Sequence, residues 1–158
     1  MKTSWFSLYN LVLALWVGGI AIFSFVVTPL IFRSFGRDLA GEIVGKLFPG
    51  YFLYNLFLAA LALILYFTAV GDHAKPAARI SLFLLVIALA VNAYVALKLH
   101  PDTVKVKQQI ASFEHGSPDE PARKQFARLH ALSASLNLLV LADGIVLLLI
   151  GPALRKLE

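Results

Sequence analysis

Four long apolar runs govern what this chain can become: Trp5 to Phe32, Tyr51 to Val70, Ile80 to Leu99 and Leu129 to Ile150. Each reaches the roughly 20 residues that an α-helix needs to cross about 30 Å of hydrocarbon. Lipid offers the backbone no hydrogen-bond partner, so only helices and closed barrels span it. The strict alternation of a barrel strand is absent from these runs. The expected fold is therefore all-α: one transmembrane domain over residues 1–158, an integral membrane four-helix bundle. A mean hydropathy of +0.80 with only 15% charged residues agrees, since a soluble domain needs more polar surface. The first run follows Lys2 but is too long for a signal peptide and lacks a small-residue cleavage motif, so it counts as a span.

The chain has no Cys, and its single Met is Met1. This excludes a disulfide framework, a thiolate nucleophile and any Cys-based zinc or iron–sulfur site. A formal charge of +5 would suggest nucleic acid in a soluble protein, yet the basic residues fall between the apolar runs, where they meet lipid headgroups. Membrane lipids are the expected surroundings and no nucleic-acid partner is expected. Connections one and three hold 9 of the 14 basic residues: Arg33, Arg37, Lys46, Lys98, Lys105, Lys107, Arg123, Lys124 and Arg128. The positive-inside rule then puts both termini outside the cytoplasm of a multi-pass protein of the inner cell membrane.

In connection one, Leu39, Ile43 and Leu47 recur every four residues among Arg37, Asp38, Glu42 and Lys46. That spacing predicts a short amphipathic interfacial helix over about 37–47, with a corner at Phe48-Pro49-Gly50 before the second span. Gly41 and Gly45 match a small-xxx-small pattern outside a long apolar segment, which is weak support for helix dimerisation. Connection two is a tight turn with a solvated His73. In connection three, Val106, Ile110 and Phe113 continue a helical stripe and Asp119-Glu120-Pro121 reads as the first turn of a new helix. Helices three and four are thus expected to overrun the bilayer as a hairpin, to about His115 and from about Asp119. A turn centred near residues 117–118 pairs residues whose numbers sum to about 235, within a turn, so Asn92 falls level with Asp143 and Lys98 with Asn137.

The informative residues are polar groups inside apolar runs. His130, Ser133 and Asn137 stand at i, i+3 and i+7 and share one helix face. A carboxylate near the bilayer centre costs a few kcal/mol and must face the bundle interior, so Asp143 reads as a proton- or cation-handling group or as a hydrogen-bond partner of Asn92. These five residues, Asn92, His130, Ser133, Asn137 and Asp143, are the candidate lining of a polar cleft between helices three and four. His130 and His100, near one membrane surface, are alternative ligands for a metal or for the iron of haem b, since imidazole suits iron, copper and zinc. Asn10 and Asn55 fit as helix-contact glue, Trp5, Tyr9 and Tyr51 as interfacial belts, Gly18 and Gly19 as sites of close helix approach, and Pro29 and Pro101 as bends. No Ser-His-Asp order, phosphate loop or paired carboxylates appear, and no catalytic residues are expected.

Three stretches, "FSFVVTPLIFRSFGRDLAGEIVGKLFPGYF", "VNAYVALKLHPDT" and "RKQFARLHALSASLNLLVLADGIVL", resemble the transmembrane protein 205 family and its bacterial relatives. Asn92 and Pro101 fall on that family's third-span Asn and following Pro, and Phe126, His130, Ser133 and Asn137 on its fourth-span Phe, His, Ser and Asn. Phe48, Pro49 and Tyr51 fit its "LFPxYF" corner. At Asp143 the relatives carry Asn as an alternative, which implies hydrogen bonding there rather than proton carriage. The fold is more loosely similar to copper-resistance-D-like membrane proteins, some of which bind haem. The resemblance implies a transport-like role. The leading expectation is a bundle that binds or moves a small solute or ion, with no bound cofactor and a homodimer as a plausible assembly. A haem- or metal-binding redox protein and a structural or lipid-organising protein are the alternatives.

Overall fold

The computed structural model describes residues 2–155 except 116, 118 and 119. Among them all regular structure is helical. Helix α1 runs Lys2–Ile22, widens into a π-helical turn at Phe23–Val27 and resumes as Thr28–Ser34. Helix α2 is continuous over Arg37–Ala69. Helix α3 runs Pro76–Tyr94, opens into a second π-helical turn at Val95–Leu99 and continues as His100–Lys107. Helix α4 is Pro121–Arg155. Over Ser4–Ser34, Arg37–Ala69, Pro76–Lys107 and Pro121–Leu154 the four are long and apolar enough to cross a membrane. At 1.5 Å per residue each is about 45–50 Å long, so each outreaches a hydrocarbon layer of roughly 30 Å.

The helix starts are legible locally. Pro76 and Pro121 sit in first turns, where a missing N–H costs nothing. At Pro49 the reading needs correction. The corner expected at Phe48-Pro49-Gly50 is absent: residues 37–47 are helical but run straight into the second span through Pro49. One lost backbone bond is outweighed by the packing of so long a helix. Pro29 and Pro101 each follow a π-turn, in which the Thr28 and His100 amides reach back five residues to the Phe23 and Val95 carbonyls. The wider turn relieves the crowding between each ring and the preceding turn. Helix α3 stops at Lys107 instead of about His115, and residues 108–115 fold back as irregular chain. Asp119, expected in the first turn of α4, lies outside the described residues.

The helices pack in a closed ring, α1 on α2, α2 on α3, α3 on α4 and α4 on α1, as short connections require of antiparallel neighbours. Core residues follow helical spacing: Tyr9, Leu13, Trp16 and Ile20 on α1, and Ala78, Ser81, Leu85, Ala88 and Asn92 on α3, are all buried. With Leu58, Ala62, Leu65 and Tyr66 of α2 and Val140, Leu147 and Leu154 of α4, the apolar members of these rows fill one half of the bundle. Close approach of α1 and α4 depends on Gly144, where an added Cβ would stand 2.6 Å from Val17 Cγ2. Gly19 likewise makes room for the Tyr54 ring, whereas Gly18 faces open space. Outward positions are apolar, among them Leu97 at 73% and Leu149 at 74% exposure, which demands a lipid environment. Of the expected belt residues Trp5 is exposed, but Tyr9 and Tyr51 are buried in the bundle.

Candidate functional site

The other half of the bundle opens into a cavity of about 310 Å³. Each helix contributes one face to it. From α2 come Arg37, Gly41, Val44, Gly45, Phe48 and Phe52, at i, i+4, i+7, i+8, i+11 and i+15. From the last turns of α3 come His100, Thr103, Val104 and Lys107, at i, i+3, i+4 and i+7. Thr28 and Phe32 of α1, Phe113 of the third connection, and Phe126, His130 and Ser133 of α4 complete the wall. His100 lies against the Phe48 and Phe52 rings, with centroids 5.9 and 5.0 Å away, and the exposed His130 stacks on Phe126 at 5.8 Å. The two imidazoles, on α3 and α4, therefore share one chamber.

Three polar ties shape this end. The Lys107 ammonium donates to the Gly41 carbonyl at 2.6 Å. A Cβ at Gly45 would lie 3.3 Å from Lys107 Nζ, so the two glycines admit a lysine side chain here. Asp38, on the end of α2 that projects beyond the apolar 51–70 stretch, accepts hydrogen bonds from Ser112 Oγ and the Phe113 amide, each at 2.5 Å. The bond from Ser112, then that from Phe113, holds its carboxyl below the usual range. Arg123 of α4 donates to the Ser112 carbonyl, and the third connection is thereby strapped over the cavity.

One turn deeper, Asn137 bridges three helices. Tyr51 Oη of α2 donates to its Oδ1 at 2.5 Å, and its Nδ2 donates to Ser24 Oγ, inside the first π-turn, at 2.9 Å. Asn137 also lines a small crevice with Asn55 and Asn92, between Phe52, Val91, Val95, Leu136 and Val140. Asn92 is 8% exposed and donates to its own Ala88 carbonyl; Asn55 donates likewise to Tyr51. The expected pairing of Asn92 with Asp143 is therefore replaced by a register about one turn shorter, Asn92 lying level with Asn137 and Val140. The early end of α3 accounts for the shift. Lys98, expected level with Asn137, is exposed and pairs with Asp102 at 2.9 Å.

Asp143 is placed apart from both. It is 6% exposed within the packed half of the bundle, and neither carboxylate oxygen has a hydrogen-bond partner among the described residues. The structure thus distributes the five candidates in three places: His130 and Ser133 on the cavity, Asn92 and Asn137 on the crevice beside it, and Asp143 in the core. His100 joins the first group. Sequence reasoning missed Tyr51, Ser24, Arg37, Thr103 and Lys107. The i, i+3, i+7 spacing of His100, Thr103 and Lys107 repeats that of His130, Ser133 and Asn137 and would have exposed the α3 wall. Nothing local marks Tyr51 or Ser24, whose partner lies 86 and 113 residues away.

Among comparisons with known proteins, the model of the family described as "Domain of unknown function (DUF4149)" matches residues 11–112. That stretch holds most of α1, all of α2 and α3 and the start of the third connection, while the α4 wall of the cavity lies beyond it. No curated protein and no solved structure matches the chain.

Proposed function

This chain belongs to that family of unknown function, and on that footing we propose that it binds a small solute in the cavity between its helices and passes it along the polar face of α4. The observation that carries the reading is the contrast between the two halves of one bundle. One half is filled by interlocking side chains, and the other holds a chamber of about 310 Å³, at the lower end of the roughly 300–1,000 Å³ of ligand pockets. Five phenylalanines and two valines make most of its surface apolar, and seven polar side chains converge among them. Ser133 on the wall and Asn137 one turn below mark the direction of passage, with Asn92 across from it. The resemblance to the transmembrane protein 205 family supports transport, and the surplus of basic residues at the cavity end supports a cytoplasmic mouth in the inner cell membrane.

The uncharged probe 1-dodecanol tests binding. Native mass spectrometry of the protein released from a neutral detergent should show saturable one-to-one binding, abolished by Val104→Trp, which fills the chamber. Non-saturable uptake, or uptake indifferent to that substitution, would defeat the reading. Passage is tested with protons: vesicles containing the protein and a pH-sensitive dye should leak faster than empty ones, and unchanged flux in both Asn137→Leu and Asp143→Leu counts against it.

A second reading rests on His100 and His130 lining the same chamber. Among the described residues no three His, Cys, Asp or Glu side chains group to hold a bare metal ion. His100 and His130 would be the residues to hold a haem, which would supply one-electron chemistry, and Phe48, Phe52 and Phe126 would give it apolar surroundings. A Soret band in the purified protein that disappears in His130→Ala and His100→Ala would establish this alternative, and a colourless protein that gains no Soret band with added haem removes it.

A further inference from the structure

We infer that the occupant of the cavity is a single-chain amphiphile with an anionic head, its charge met by Lys107 and Arg37 and its tail laid on the aromatic wall; the inference rests on the solute-binding reading above. The lining holds two permanent cations, Arg37 and Lys107, and no carboxylate. Of the nearby acids, Asp38 accepts from Ser112 and Phe113, Glu42 pairs with Lys46 at 2.7 Å while also attracting Lys107, and Glu114 accepts from the Asp38 amide at 3.5 Å. Lys107 is half-buried and spends one of its three N–H donors on Gly41, leaving two for a ligand. Arg37 makes no hydrogen bond or ion pair among the described residues. Two cations on a cavity wall that carries no carboxylate call for an anion with an apolar body.

The wall also has a direction. Arg37 opens α2 and Lys107 closes α3, so both cations stand at the outer end of the chamber, whereas Phe52 stands 15 residues further into α2. At 1.5 Å per residue that separation is roughly 22 Å. A volume of about 310 Å³ drawn out along such a length has the width of one chain rather than two. This polarity runs the way an amphiphile enters from a membrane surface, head outward and tail toward the bundle centre.

Dodecanoate and 1-dodecanol differ only in the head and separate this inference from the parent reading. In native mass spectrometry at pH 8.5, dodecanoate should bind at least about tenfold more tightly than 1-dodecanol, the scale of charge-assisted hydrogen bonds. In the double variant Arg37→Gln, Lys107→Met that advantage should vanish, with helicity by circular dichroism reporting an intact fold. Arg37→Gln alone, which removes no bond among the described residues, should lose part of it. Equal affinity for the two probes in the unmodified protein, or a carboxylate advantage that survives the double variant, overturns the inference and leaves solute binding standing. Dioleoylphosphatidylglycerol displacing dodecanoate at equal concentration would overturn the single-chain class in favour of a bilayer lipid. Binding of neither probe overturns both readings.

Discussion

At the scale of single residues, Asn137 ties three helices together. Replacing it by Leu leaves the Tyr51 hydroxyl and Ser24 without their partner between helices. A buried polar group left unmatched costs about 1–3 kcal/mol, so Asn137→Leu should lower thermal stability by that amount, read from melting in detergent, while Leu136→Ala beside it loses only packing. Asp38 offers a pH-dependent counterpart. Its carboxyl is held below the ordinary range by Ser112 and Phe113, so the tie is fully present above the unfolded value near about 4 and is lost as pH falls through the folded one. Proteolysis of residues 108–115 should therefore be slow at neutral pH and accelerate below about pH 4. Asp38→Asn should make it fast at both and flatten the profile. The His130, Ser133 and Asn137 face was legible because helical spacing alone aligns those three side chains. The role of Tyr51 was not, because a hydroxyl at one end of a span meets an amide 86 residues later only after the helices have been placed.

At the scale of elements, existence and type of the four helices were legible and their interruptions were not. An apolar run of about 20 residues has no other way to satisfy its backbone in lipid, but proline reports only a missing donor and a steric demand. Pro49 stayed within α2 in place of a corner, and Pro29 and Pro101 were met by π-turns. Which response wins depends on what the flanking turns pack against, and the π-turns at Phe23–Val27 and Val95–Leu99 both border the Tyr51 and Phe52 cluster. Contact between elements makes a sharper prediction. Gly144→Ala puts a methyl group 2.6 Å from Val17 Cγ2 and should destabilise the α1–α4 contact by about 1–3 kcal/mol, whereas Gly18→Ala, facing open space, should be silent. Equal melting temperatures for the two variants would refute the close approach.

For the whole molecule, the division into a filled half and an open half predicts unequal protection. Amide exchange in detergent should be slowest around Leu13, Trp16, Ala62 and Tyr66 and faster in residues 100–107 and 108–115, and uniform exchange along the rods would contradict that division. The amino-acid sequence by itself determined that the chain is helical, that it has four spans and that costly groups deep within them, such as Asn92 and Asp143, turn into the bundle. Each of these follows from hydrocarbon refusing unpaired polar groups, a constraint that acts on every segment separately. Only the tertiary structure decided that His100 and His130 share a chamber with Arg37 and Lys107, that Asn137 joins three helices, and that Asp143 is buried in the core away from Asn92. Those outcomes depend on register and rotation between helices, which are set by where α3 ends, where each π-turn adds a residue and where Gly144 lets two backbones close, quantities that no single segment contains.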